Sequence, residues 1–254
     1  MKLQEMSKRN IRVDISYDGS GFCGWQIQKN DRTVQGDVEK ALENMHGFRV
    51  PVTAAGRTDS GVHALGQVIN FRTELESIPA DRWALALNSY LPGDVQALSS
   101  REVPEYFHAR YDARSRTYRY YISQGPVPIP VYRNYALFVR KTLDVHRLNE
   151  YARSIIGEHD FTTFSVPRDS SHTRMRKISS AAFFMDGPFI VFHIEGTAFL
   201  WRMVRSIVGT ILELEKNGKG PEDFRGILKA GNRGCAGATA PAWGLYLYKV
   251  RYDR

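Results

Sequence analysis

The 254-residue sequence predicts an α+β fold, and three observations carry that expectation. Residues 11 to 17 alternate apolar and polar side chains as a half-buried strand does. Residues 33 to 45 place Val34, Val38, Ala41, Leu42 and Met45 on one helical face. Two apolar runs, 178 to 184 and 189 to 194, flank Asp186-Gly187-Pro188 as the arms of a hairpin flank its turn. A composition of 43% hydrophobic and 24% charged residues is ordinary for a globular chain and argues against disorder. No apolar run approaches the roughly 20 residues needed to span a bilayer.

The first strand, with Ile11, Val13, Ile15 and Tyr17 facing one way, ends in the turn signal Asp18-Gly19-Ser20-Gly21, and a buried Trp25 is expected just beyond. Cys23 reads as a small buried residue. Thr33 is expected to N-cap the first helix and Gly47 to close it. Pro79 precedes a second helix over about Asp81 to Tyr90, which Pro92-Gly93 terminates. Tyr118, Tyr120 and Ile122 share one face of a strand. Leu148, Tyr151, Ala152, Ile155 and Ile156 outline a helix ended by Gly157. The most regular helix carries Leu200, Met203, Val204, Ile207, Val208 and Ile211 on a continuous stripe with Arg205 at its edge. Pro221, Phe224, Ile227 and Leu228 mark a last short helix, and residues from Leu245 to Tyr252 a closing strand.

Between two β-prone runs lies Gly56-Arg57-Thr58-Asp59-Ser60-Gly61-Val62-His63-Ala64. Glycines at both ends let the backbone turn sharply or approach a ligand, so such a loop can hold a carboxylate at a cleft. An arbitrary loop aspartate mostly bonds its own turn. Here the run is similar to the signature loop of the tRNA pseudouridine synthase A family, whose aspartate is catalytic. Five further segments resemble the same family in the same order: Tyr17 to Gln26, Phe107 to Tyr120, His159 to Phe164, Phe199 to Gly209, and Ala240 to Leu247.

That resemblance implies a pseudouridine synthase fold: two ferredoxin-like halves, 1–105 carrying the Asp loop and 106–254 completing the cleft, which share a central antiparallel sheet with flanking helices. It implies isomerisation of uridine to pseudouridine in the tRNA anticodon stem-loop, at positions 38 to 40, by a homodimer using neither cofactor nor metal. It assigns Asp59 as catalytic carboxylate, acting as nucleophile or base. Tyr118 would pack on the target uracil and Leu245 against it, Arg205 would pair with the aspartate, and Arg57 would fill the space the flipped base leaves.

Lys and Arg exceed Asp and Glu by 35 − 27 = 8, a charge that suits a polyanion. Arg110 and Arg116 lie in a basic segment interleaved with aromatics, and Arg168, Arg174, Arg176 and Lys177 in a loop from Val166 to Lys177 read as mobile. Both are candidates for holding RNA. Cys23 and Cys235 form no CxxC pair. His193-Ile194-Glu195 fits the HxE element of a zinc base deaminase but lacks the Pro-Cys-x-x-Cys partner. Met1 to Arg9 has no apolar signal core, so a cytoplasmic protein is expected.

Overall fold

The computed structural model describes residues 8–253; the reading of the first nine residues as lacking a signal core falls, save for Lys8 and Arg9, outside them. The chain divides into two compact units. The first takes residues up to 114 together with those from 247 onward, and the second takes Ser115–Tyr246.

The first unit opens with β1 (Arg9–Tyr17), whose Ile11, Val13 and Ile15 are fully buried. α1 (Val34–His46) follows; the Thr33 hydroxyl accepts from Gly36 N–H at 3.3 Å, and Gly47 closes the helix at φ +77°. β2 (Thr53–Ala54) and β3 (His63–Thr73) flank the Asp59 loop. α2 (Trp83–Asn88) is shorter than expected, because residues 80–82 form a 3-10 turn in front of it. Its Trp83 is completely buried, edge-on to Phe71 at 5.1 Å and stacked on His46 at 5.7 Å. β4 (Val95–Val103), which no local pattern marked, pairs antiparallel with β1, and β1 pairs antiparallel with β3.

The second unit comprises β5 (Ser115–Gln124), β6 (Leu137–Val139), α3 (Val145–Arg153), β7 (Gly157–Asp160), β8 (Met175–Asp186), β9 (Phe189–Gly196), α4 (Met203–Lys216) and α5 (Pro221–Lys229). Its sheet runs β5-β9-β8-β7 with antiparallel pairing, and β6 lies parallel to β5. Tyr120, Ile122, Ile190, Phe192 and Ile194 form its core with the α4 stripe of Met203, Ile207, Val208 and Ile211. The last strand, β10 (Leu245–Arg251), begins in the second unit and from Leu247 onward belongs to the first. There Gly66 of β3 fits close, since a Cβ on it would meet the Tyr248 carbonyl oxygen at 2.6 Å.

Three further expectations are corrected. Cys23 is exposed, because Phe22 and Trp25 on either side turn inward instead. The basic segment from Val166 to Lys177 is not irregular throughout: β8 starts at Met175 and pairs with β7. The helical stripe from Leu200 does not begin a helix there; Arg202 adopts the left-handed conformation, φ +61°, and α4 starts after it.

Candidate active site

In the first unit the Asp59 loop rests on the segment that follows β1. Trp25 N–H donates to the Thr58 carbonyl at 3.0 Å, Gly61 N–H to the Phe22 carbonyl at 3.3 Å, and the Ser60 hydroxyl to the same carbonyl at 3.2 Å. The buried hydroxyls of Tyr17 and Thr58 are 2.8 Å apart and hydrogen bonded. Gly24 has φ +89°, and a Cβ there would lie 2.7 Å from the Thr58 carbonyl oxygen. Only glycine permits both that torsion and that approach.

The loop is closed from its other side as well. Val62 N–H donates to the Asp59 carbonyl at 3.1 Å, inside a turn with Gly61 at φ +76°. Gln67, fully buried, donates from Nε2 to the Gly56 carbonyl at 2.8 Å. His63, also buried, accepts from Gly19 N–H at Nδ1, 3.0 Å away. Asp59 is thus half-buried on a backbone held at both ends, while Arg57 beside it is exposed. Tyr17, Gly24, His63 and Gln67 are the holders that sequence reasoning had not given roles; the signal lay in the two glycine-rich runs, which prove to pack on each other.

In the second unit Arg205, Tyr118 and Leu245 are expressed by one interlocked set of elements. The segment from Gly237 to Pro241 lies along α4. Gly237 N–H donates to the Thr210 hydroxyl at 3.0 Å, and Ala240 N–H to the Arg205 carbonyl at 3.0 Å. Arg205 Nε returns a bond to the Ala240 carbonyl at 2.8 Å. Gly209 makes that approach possible, since a Cβ on it would stand 1.8 Å from the Ala238 oxygen. Tyr120, buried on β5, donates its hydroxyl to the Pro241 carbonyl at 2.9 Å, and Gly244 sits close to its ring, since a Cβ there would meet Tyr120 Cζ at 2.7 Å. Burial pushes the Tyr120 hydroxyl well above its ordinary pKa, with the Arg205 charge pulling the other way. Leu245 follows directly, 6% exposed. Tyr118, two residues before Tyr120, is 9% exposed and meets Phe199 edge-on at 5.0 Å.

The candidate RNA-binding residues fall into two groups. Arg110, Arg168 and Lys177 are exposed. The other three are half-buried and bond to oxygens of neighbouring residues. Arg116 donates to the Thr197 carbonyl at 2.8 Å. Arg174 pairs with Asp169 at 3.0 Å, and Arg176 donates to the carbonyls of Thr173 and Met175 at 2.8 and 2.6 Å. Burial opposes ionisation of Asp169, yet the N–H of Trp201 at 2.5 Å, Ser171 and Arg174 outweigh it and hold its carboxyl below the usual value. Glu195 of the His-x-Glu run accepts from the Ser115 hydroxyl at 2.8 Å within the sheet, as a strand residue would.

A model of the tRNA pseudouridine synthase family matches residues 15–112 and 151–253. The chain is 43% identical over 251 residues to the tRNA pseudouridine synthase A of Treponema denticola, covering 97% of this chain and 94% of that protein. It is 44% identical to that of Halalkalibacterium halodurans, covering 93% and 90%, and 44% identical to that of Brachyspira hyodysenteriae, covering 95% and 97%.

Proposed function

The chain belongs to the tRNA pseudouridine synthase family and is an isomerase that converts uridine to pseudouridine in tRNA; we propose that Asp59 is its catalytic carboxylate and that its targets lie in the anticodon stem-loop, at positions 38, 39 and 40. The observation that supports the assignment is the clamping of the Asp59 loop by Trp25, Gly61 and Val62, which holds the backbone that carries the carboxylate. Preorganisation of this kind spares the reaction the cost of ordering a nucleophile or base.

In the isomerisation the N1–C1′ bond breaks, the uracil turns, C5 joins C1′, and the C5 proton is lost as N1 gains one. Asp59 acts as nucleophile on the sugar or base, or as the base that removes a proton. Either role requires the ionised carboxylate, which desolvation disfavours and a cation restores. Arg205 supplies that positive charge, its guanidinium aimed by the Nε bond to Ala240. Tyr118 and Leu245 flank the uracil; stacking contributes roughly 1–3 kcal/mol per base. Extruding the target from its stack costs a few kcal/mol, and Arg57 fills the space it leaves. Arg110, Arg116, Arg168, Arg174, Arg176 and Lys177 contribute positive charge toward the RNA backbone. The enzyme works as a cytoplasmic homodimer, with tRNA engaging both copies.

The test is to incubate unmodified tRNA transcripts with the protein alone and map pseudouridine by position. Wild type should modify positions 38 to 40, and Asp59→Asn should make none while binding the same tRNA within about threefold. Normal turnover by Asp59→Asn would remove the carboxylate from the chemistry.

A further inference from the structure

The turn from Pro104 to Asp112, in the first unit, is held from beneath by two buried amides. Asn10, 2% exposed, donates from Nδ2 to the carbonyls of Pro104, Glu105 and Phe107 at 3.1, 3.3 and 2.9 Å. Asn70, 8% exposed, donates to Asn10 Oδ1 at 2.9 Å and accepts from Ala109 N–H at 2.9 Å. The Tyr252 hydroxyl donates to the Ala109 carbonyl at 2.6 Å, and its ring packs on Phe107 at 5.2 Å. Asp112 accepts from His108 N–H at 2.7 Å. Buried amides are costly unless satisfied, and here both are used to fix one surface turn.

What the turn carries is aromatic and outward. Tyr106 is 83% exposed and Tyr111 74%. The His108 ring stacks on Tyr111 at 4.2 Å with 28° between planes, and the Arg110 guanidinium lies 5.6 Å from the Tyr111 centroid. Large aromatics in water on a clamped backbone mark a contact surface, and rigid rings lose little conformational freedom on binding. A ring stack beside a guanidinium has the chemistry to take an unpaired base and its phosphate.

We propose that this turn is a stacking platform for an unpaired nucleotide of the tRNA: a base extends the His108–Tyr111 stack, Arg110 neutralises the adjoining phosphate, and Tyr106 adds a second aromatic surface. The proposal rests on the tRNA reading above and concerns a nucleotide other than the one expected against Tyr118. Because the rings are exposed, replacing them leaves the core intact.

The experiment measures tRNA binding to the full chain by fluorescence anisotropy across a salt series, beside pseudouridine formation by the same variants. Tyr111→Ala should raise Kd roughly 5- to 150-fold, the range equivalent to loss of one base stack, with the salt slope unchanged. Tyr111→Phe should bind as wild type does, because stacking needs no hydroxyl. Arg110→Gln should lower the salt slope by about one. Kd unchanged in the Tyr106→Ala, Tyr111→Ala double variant overturns the platform, whether or not the enzyme is active. A change in the double variant's sedimentation without a change in Kd would assign the surface to a second copy of the chain and equally overturn it. If wild type forms no pseudouridine yet Tyr111→Ala loses tRNA affinity, the isomerase reading fails and the platform stands.

Discussion

Arg205 and Ala240 hold each other by both ends: Ala240 N–H donates to the Arg205 carbonyl at 3.0 Å, and Arg205 Nε donates to the Ala240 carbonyl at 2.8 Å. The helix therefore aims its arginine through a bond to the segment that leads into Leu245, so the direction of the guanidinium and the path of that segment are set together.

Arg205→Ala should lower the single-turnover rate of pseudouridine formation by two orders of magnitude or more, the scale seen when one preorganised electrostatic group is lost. Arg205→Lys keeps the charge but has no Nε to hold Ala240, so it should recover only part of the rate. Rapid-quench measurement checks both, and an unchanged rate in the alanine variant excludes Arg205 from the reaction.

Gly24→Ala should slow the reaction far more than it lowers Tm. The new methyl would press on the Thr58 carbonyl and occupy a left-handed backbone, a strain of about 1–3 kcal/mol placed directly under Asp59. Thermal melting and single-turnover assays of one preparation separate the two effects; equal activity at reduced Tm would show that the loop tolerates the shift.

Tyr120→Phe should destabilise the protein by about 0.5–1.5 kcal/mol through loss of the bond to Pro241. Its hydroxyl titrates higher in the folded chain than in the unfolded one. The contribution is accordingly complete below the ordinary tyrosine pKa near 10 and falls as pH rises above it. Denaturation at pH 8 and pH 11 should show the wild type losing more stability than the phenylalanine variant over that interval.

Asp169→Asn should loosen the segment from Val166 to Arg174, since the carboxylate joins Trp201 N–H, Ser171 and Arg174. A depressed carboxyl pKa stabilises the fold above the ordinary value near 4, and that stabilisation is lost as pH falls below it. Limited trypsin digestion at neutral pH should cut the variant faster at Arg168 and Arg174, and wild type should approach that rate only in acid, as read with an acid-active protease.

Much of the architecture was legible from local pattern. Thr33 and Gly47 bracket α1 because one supplies a capping oxygen and the other a left-handed residue, both properties of single side chains. The stripe of α4 was equally plain, but its start was not: Leu200 is buried as the stripe requires, yet Arg202 breaks the helix in a conformation that arginine does not favour by itself. Cys23 was misread because its apolar neighbours, not the thiol, fill the interior. β4 left no signal, since beyond Ala97 most of its residues face solvent and show no alternation.

The sequence by itself determined the strands and helices that carry a regular apolar pattern, and that Asp59 stands in a bend framed by glycines, because periodicity and torsional preference are carried by neighbouring residues. Tertiary structure alone decided what holds that bend and what aims Arg205. Tyr17 reaches Thr58 across 41 residues, Arg205 reaches Ala240 across 35, and the chain from Leu247 onward returns to the unit where it began. Bonds of that separation depend on how whole elements pack, and packing leaves no period in a linear pattern for a reader to find.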